Sequence, residues 1–133
     1  FQGLLQPDDL KDLYNEGNPT MIGTMTCYTT YFVSTSSDTV AHRWMNGYRE
    51  DAVGNPIPGV PNGAVAIHGA ATLSDYRDNE VFVKRVQEAV LEGALLGDAI
   101  EAARLYAREN GLRDLVKNWG LLGDPTLKLT ADK

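Results

Sequence analysis

Two short runs without a charged residue constrain this chain more than anything else in it: Thr20–Thr26, TMIGTMT, and Gly63–Ala70, GAVAIHGA. Neither alternates polar with apolar residues. An alternating strand keeps one wet face, whereas a run that is apolar throughout needs cover on both faces, as strands inside an α/β layer have. Residues 27–62 lie between the runs, enough chain for the helix that a parallel connection requires. The expected class is therefore α/β.

Helical spacing fills the gaps. Pro7-Asp8-Asp9 opens a short helix with Leu10, Leu13 and Tyr14 on one face, closed at Asn15-Glu16-Gly17-Asn18-Pro19 with Gly17 as cap. Ser36-Ser37-Asp38 can cap a second helix carrying Val40, Ala41, Trp44 and Met45 on one stripe and ending at Asn46-Gly47. Asp51–Asn62, broken by Gly and Pro, reads as a surface loop. Val81–Leu91 turns Val83, Val86 and Val90 to the sheet, and a helix from Asp98 shares a face among Ala99, Ala102, Ala103 and Tyr106 before Gly111. The segment Trp119–Leu129 reads as a turn at Gly123-Asp124-Pro125 leading into a short closing strand. Trp44 and Trp119 read as core or interface anchors.

Composition limits the functions open to such a domain. The 133 residues make one domain, with 43% hydrophobic and 23% charged residues, ordinary for a globular protein. A net charge of −6 argues against a nucleic-acid or anionic-membrane surface, and nothing approaches the ~20 apolar residues of a membrane helix. The single cysteine excludes an internal disulfide and a cysteine-based zinc site. A start at Phe1-Gln2-Gly3, without Met, reads as part of something longer.

That cysteine, Cys27, stands where the first run gives way to a hydroxyl-rich loop, Tyr28-Thr29-Thr30-Tyr31. In parallel α/β sheets, sites gather at the carboxyl ends of the strands, so a thiol there is placed to meet a substrate. A nucleophilic thiol also needs a base, usually His. The competing reading is a small residue filling the core.

The flanking pattern favours chemistry. Thr26-Cys27 with Phe32, Gly63-Ala64-Val65-Ala66 with Thr72, and Leu122-Gly123-Asp124-Pro125-Thr126-Leu127 occur in order. Together they resemble the gingipain family, cysteine peptidases of the caspase-like fold, from about Thr20 to Leu129. The resemblance implies a caspase-like three-layer sandwich with a mostly parallel sheet, incomplete in this chain, so that residues 1–133 form a partial peptidase domain. It makes Cys27 the nucleophile, with its backbone N–H as one oxyanion donor. The family's histidine and second donor lie on a preceding strand, and counting back to them runs off the start of the chain. Where relatives often carry Gly two residues before the Phe, this chain has Thr30.

Two histidines are present. His68 closes the second run and is a stand-in base, or else a packed strand-end residue; the family's base sits on the other neighbouring strand. His42 points away from its helix's apolar stripe and reads as solvent-facing. In Thr72-Leu73-Ser74-Asp75-Tyr76-Arg77-Asp78, the resemblance implies a wall of the substrate pocket formed by Thr72, Asp75 and Tyr76. Tyr76 could stack on a long side chain while Asp75 or Asp78 pairs with Arg or Lys. Both acids could instead cap the helix that follows. Asp124 reads as a turn residue.

Three functions are thus in competition. The leading one is a cysteine endopeptidase that needs no cofactor, acts on a protein or peptide, and receives its base from a missing N-terminal segment, a partner chain or a second copy. The second is a caspase-like interaction or scaffold domain whose activity has decayed. The third, a flavodoxin-like ligand binder, is disfavoured because no glycine-rich phosphate loop follows either strand. Family resemblance also implies a secreted or cell-surface bacterial protein, with calcium possible as a structural ion.

Overall fold

A computed structural model describes residues 15, 18, 20–31, 40–46, 51, 53, 55, 57 and 63–129. The elements are β1 (Thr20–Gly23), α1 (Val40–Asn46), β2 (Ala64–Ala70), α2 (Tyr76–Leu91), α3 (Leu96–Glu109), α4 (Arg113–Asn118) and β3 (Trp119–Gly123). The expected helix near residues 7–14, the Gly17 cap, the Ser36–Asp38 cap, Gly47, Phe32 and much of the 51–62 loop lie outside the described residues.

The strands lie in the order β1-β2-β3, with β1 parallel to β2 and β3 antiparallel to it. Adjacent residues on each strand point to opposite faces. Met21, Ala66 and Leu121 join the cluster built on Phe82, Val83, Val86, Leu96 and Ile100 of α2 and α3. Their neighbours Ile22, Ile67 and Leu122 join Ala41, Trp44 and Met45 of α1. The sheet is therefore the middle of three layers, which is why its strands could not alternate. Each fully buried aliphatic or aromatic side chain here contributes about 1.5–3 kcal/mol.

Trp119 opens β3 and is buried, its ring stacked on Phe82 at 4.2 Å between centroids. Of the α2 face, Val83, Val86 and Val90 are buried as their spacing requires. The helix begins five residues earlier than Val81, at Tyr76, because Asp75 caps it by accepting the Arg77 N–H at 2.8 Å. On α3, Ala99 and Ala103 are buried, Ala102 is exposed, and the half-buried Tyr106 ring carries the Arg85 guanidinium 3.3 Å from its centroid.

The closing strand comes earlier than the sequence suggests, before the Gly123-Asp124-Pro125 turn. Gly123 adopts φ 130°, and a Cβ there would stand 2.7 Å from the Val65 carbonyl and 2.8 Å from Ala66 Cα. The chain leaves the sheet at this point. Its carbonyls then satisfy the start of α3: Leu127 O accepts from Leu96 N at 2.9 Å, and Pro125 O from Gly97 N at 2.8 Å. Leu127-Lys128-Leu129 alternates like a strand, but its backbone serves as a helix cap.

Candidate active site

The carboxyl ends of β1 and β2 share one edge of the sheet because the two strands are parallel. The Cys27 loop leaves β1 there and folds back along the end of β2. Thr24 N donates to His68 O at 3.0 Å, Thr30 N to Ala70 O at 3.4 Å, and Tyr28 N to Thr72 O at 3.4 Å. Thr30, the departure from the family pattern, is fully buried and donates its hydroxyl to Gly69 O at 2.8 Å. A Cβ on Gly120 would come within 2.7 Å of that hydroxyl, so Thr30 occupies space that the glycine of β3 leaves open. The remaining hydroxyls close the turn, Thr26 and Thr29 bonding each other at 2.6 Å. Tyr28 completes it at φ 59°, a left-handed conformation that costs a non-glycine residue of order 1 kcal/mol.

Cys27 is a free, half-buried thiol at the tip of this turn. Among the described residues, the hydrogen-bond contacts to the sulfur all come from Ser74. Cys27 Sγ donates to Ser74 O at 3.2 Å, Ser74 N donates to Sγ at 3.4 Å, and Ser74 Oγ lies 3.7 Å from Sγ. Among the described residues the Cys27 backbone N–H donates to no acceptor. Asn79, fully buried in the first turn of α2, donates to Ser74 Oγ at 2.8 Å and to Met25 O at 3.1 Å.

His68 is elsewhere. It faces the α2 side of the sheet, its ring 5.9 Å from that of Trp119, and neither nitrogen has a hydrogen-bond partner. A Cβ on Gly23 would meet its Nε2 at 2.8 Å, so the imidazole fills the room that glycine leaves. Burial lowers its pKa from 6.5 to about 4. The structure does not bring His68 and the Cys27 sulfur into hydrogen-bond contact, and a neutral, enclosed ring suits the packed role. His42 is half-buried on α1, less open than expected.

Ser74, which contacts the sulfur, belongs to the same short segment as Thr72, Asp75 and Tyr76. Thr72 is half-buried, its carbonyl taken by Tyr28 N. Asp75 is exposed, with one oxygen committed to the α2 cap and to Arg77 Nε at 4.0 Å. Tyr76 is exposed, with the Arg77 guanidinium 5.6 Å from its ring centroid. Asp78 lies in the first turn of α2, where the helix dipole favours an acid. Met25, Tyr28, Tyr31 and Leu73 add exposed apolar surface nearby. Asp124 is the expected turn residue: the Thr126 hydroxyl and then its N–H hold the carboxylate below its usual range.

Sequence reasoning gave no role to Ser74 or to the buried amide of Asn79. The available signal was a lone polar residue, Asn79, on the face of α2 that otherwise carries Phe82, Val83, Val86 and Val90. Among the described residues, no three His, Cys, Asp or Glu side chains gather as metal ligands.

The solved complex of Porphyromonas gingivalis RgpB pro- and mature domains has the same fold, with a TM-score of 0.73 at 18% identity. The alignment covers 91% of this chain and 29% of that one, so this chain spans under a third of that structure's length. No curated protein sequence matches. The model of peptidase family C25 matches residues 1–130, nearly the whole sequence, and the chain belongs to that gingipain family of cysteine peptidases.

Proposed function

We propose that this chain is the nucleophile-bearing part of a cysteine endopeptidase and that Cys27 is its nucleophile. One observation carries the reading: the only cysteine stands half-buried beyond the carboxyl end of β1, its sulfur held by Ser74 and its own N–H donating to no acceptor among the described residues. The sulfur gives its proton to a base and attacks a peptide carbonyl. The Cys27 N–H donates to the oxygen that gains charge. Collapse of that intermediate breaks the C–N bond, the amine leaves with a proton, and water then hydrolyses the thioester.

His68 does not suit the base, since neither of its nitrogens has a hydrogen-bond partner and burial disfavours its charged form, so the reading takes the base to be an imidazole from outside these residues. A segment upstream in the parent chain would supply it with a second oxyanion donor and a strand beside β1; a partner chain or second copy could do the same. Thr72, Asp75 and Tyr76 would form the wall under the side chain preceding the cut bond. Asp75 has an oxygen left for a cation, and Tyr76 has an open ring face for a long aliphatic stem.

The scaffold reading draws on a different observation. The Cys27 thiol donates to a backbone carbonyl, Ser74 O, so the sulfur is engaged with the fold itself and not with a base. The two separate in one experiment: labelling of the full-length protein by a peptidyl electrophile with Arg or Lys beside the warhead. The peptidase reading expects labelling that Cys27→Ala abolishes. A folded protein that stays unlabelled would leave the scaffold reading standing.

A further inference from the structure

We propose that Ser74 is a further catalytic residue, donating to the Cys27 thiolate, and that Asn79 is the positioning residue that aims it; this rests on the nucleophile reading above. Asn79 is the starting point. An amide in a fully buried, otherwise apolar helix face is costly, and this one leaves its Oδ1 without a partner. One of its N–H groups goes to the cysteine loop, at Met25 O, and the other to Ser74 Oγ in the connection between β2 and α2. The opposite orientation of the amide would set Oδ1 against the Met25 carbonyl, two acceptors facing each other.

The consequence falls on Ser74. Its hydroxyl oxygen already accepts from Asn79 at 2.8 Å, so its own hydrogen is free to turn to Cys27 Sγ, 3.7 Å away. The Ser74 N–H approaches the same sulfur at 3.4 Å. While the sulfur holds its proton, the Ser74 carbonyl accepts it. Once the base removes that proton, the carbonyl contact turns repulsive and the N–H and O–H face a full negative charge. Donors to an ionised acceptor are about twice as strong as those between neutral groups. Ser74 itself neither gains nor loses a proton in the step. By also bonding Met25 O, two residues before Cys27, Asn79 fixes the loop relative to Ser74, so a single amide sets both ends of the contact.

The test is the rate of Cys27 alkylation by iodoacetamide at neutral pH, followed by intact mass on the full-length protein, with thermal melting to confirm folding. Ser74→Ala is expected to slow alkylation about fivefold, as befits one long charge-assisted hydrogen bond. Ser74→Thr keeps the hydroxyl and is expected within about twofold of wild type. Asn79→Ala should slow the reaction to a similar degree, and the double variant should be no slower than either single one, because the two groups act in series. A folded Ser74→Ala that reacts at the wild-type rate, a Ser74→Thr that does not recover, or losses that multiply in the double variant would each overturn the proposal. If Asn79→Ala does not fold, the two Ser74 variants decide alone. The peptidyl electrophile keeps the two claims apart. A wild type that takes iodoacetamide but not the peptidyl reagent defeats the peptidase reading while the Ser74 ratios still decide the donor role. Equal peptidyl labelling of wild type and Ser74→Ala defeats the Ser74 proposal and leaves the peptidase.

Discussion

His68 is an imidazole enclosed on the α2 side of the sheet with no partner for either nitrogen, so one N–H is buried without an acceptor. That arrangement costs about 1–3 kcal/mol and makes stability sensitive to acid. The unfolded chain takes a proton on His68 from pH 6.5 downward, while the folded chain resists it until about 4. Stability from this source is complete above 6.5, falls as the pH drops through that interval, and levels off below it; the full loss is about 3 kcal/mol. Chemical denaturation at several pH values checks this, and His68→Leu should flatten the acid-side slope without changing Cys27 alkylation at neutral pH. Asp75 offers a sharper division of roles. Asp75→Ala should cost about 1 kcal/mol of stability through the lost α2 cap, whereas Asp75→Asn caps as well and should cost almost nothing. If Asp75 also pairs with a basic substrate, Asp75→Asn raises KM for Arg and Lys peptides at unchanged stability. The edge of the sheet that Cys27 occupies was legible from the apolar run, but not the strand's end: β1 stops at Gly23 and not at Thr26, because Thr24 to Thr30 already form the turn that bonds back to β2. The Ser74 and Asn79 contacts were not legible, since they join residues 47 and 54 positions distant from their partners in the loop.

At the scale of elements, α2 shows how a local signal sets a boundary. The apolar spacing Val83, Val86, Val90 locates the buried face, but the start of the helix is decided by Asp75, which apolar periodicity does not see. The end of β3 is decided by backbone geometry. Gly123 sits in a conformation that L-residues rarely adopt and against the backbone of β2, so any side chain meets both strain and overlap. Gly123→Ala should lower stability by about 2 kcal/mol or more, with loss of the β2–β3 pairing and of the caps that Pro125 and Leu127 provide to α3. Urea denaturation gives the magnitude, and amide exchange at Leu96 and Gly97 reports the caps. Sequence pattern misplaced this strand because Leu127-Lys128-Leu129 has the period of a strand, whereas Trp119-Gly120-Leu121-Leu122-Gly123 is too rich in glycine to read as one. Those glycines serve neighbours: Gly120 gives room to Thr30.

For the whole molecule, the three layers were legible because strands covered on both faces must be apolar throughout, and a chain of this size has helices enough to cover both. Completeness of the catalytic machinery is a different matter, since a nucleophile and its base need not lie on the same stretch of chain. The described residues place a thiol, a preset pair of donors from Ser74 and an uncommitted N–H at one edge, but no imidazole that bonds the sulfur. Orientation without proton transfer gives a reactive cysteine and little turnover, because general-base help is worth about 10²–10⁴-fold and the thioester must also be hydrolysed. The 133-residue chain alone should therefore take iodoacetamide at Cys27, by intact mass, yet release no product from Arg or Lys peptide substrates, once circular dichroism establishes that it is folded. Turnover by a longer chain that carries an upstream histidine, lost again when that histidine is replaced, would locate the base outside these residues. Turnover by the short chain itself would instead place the base within it, and with His68 enclosed the one other imidazole is His42 on α1. His42→Ala then becomes the deciding variant: if turnover survives it, neither histidine of this chain is the base and some other group must take the thiol proton.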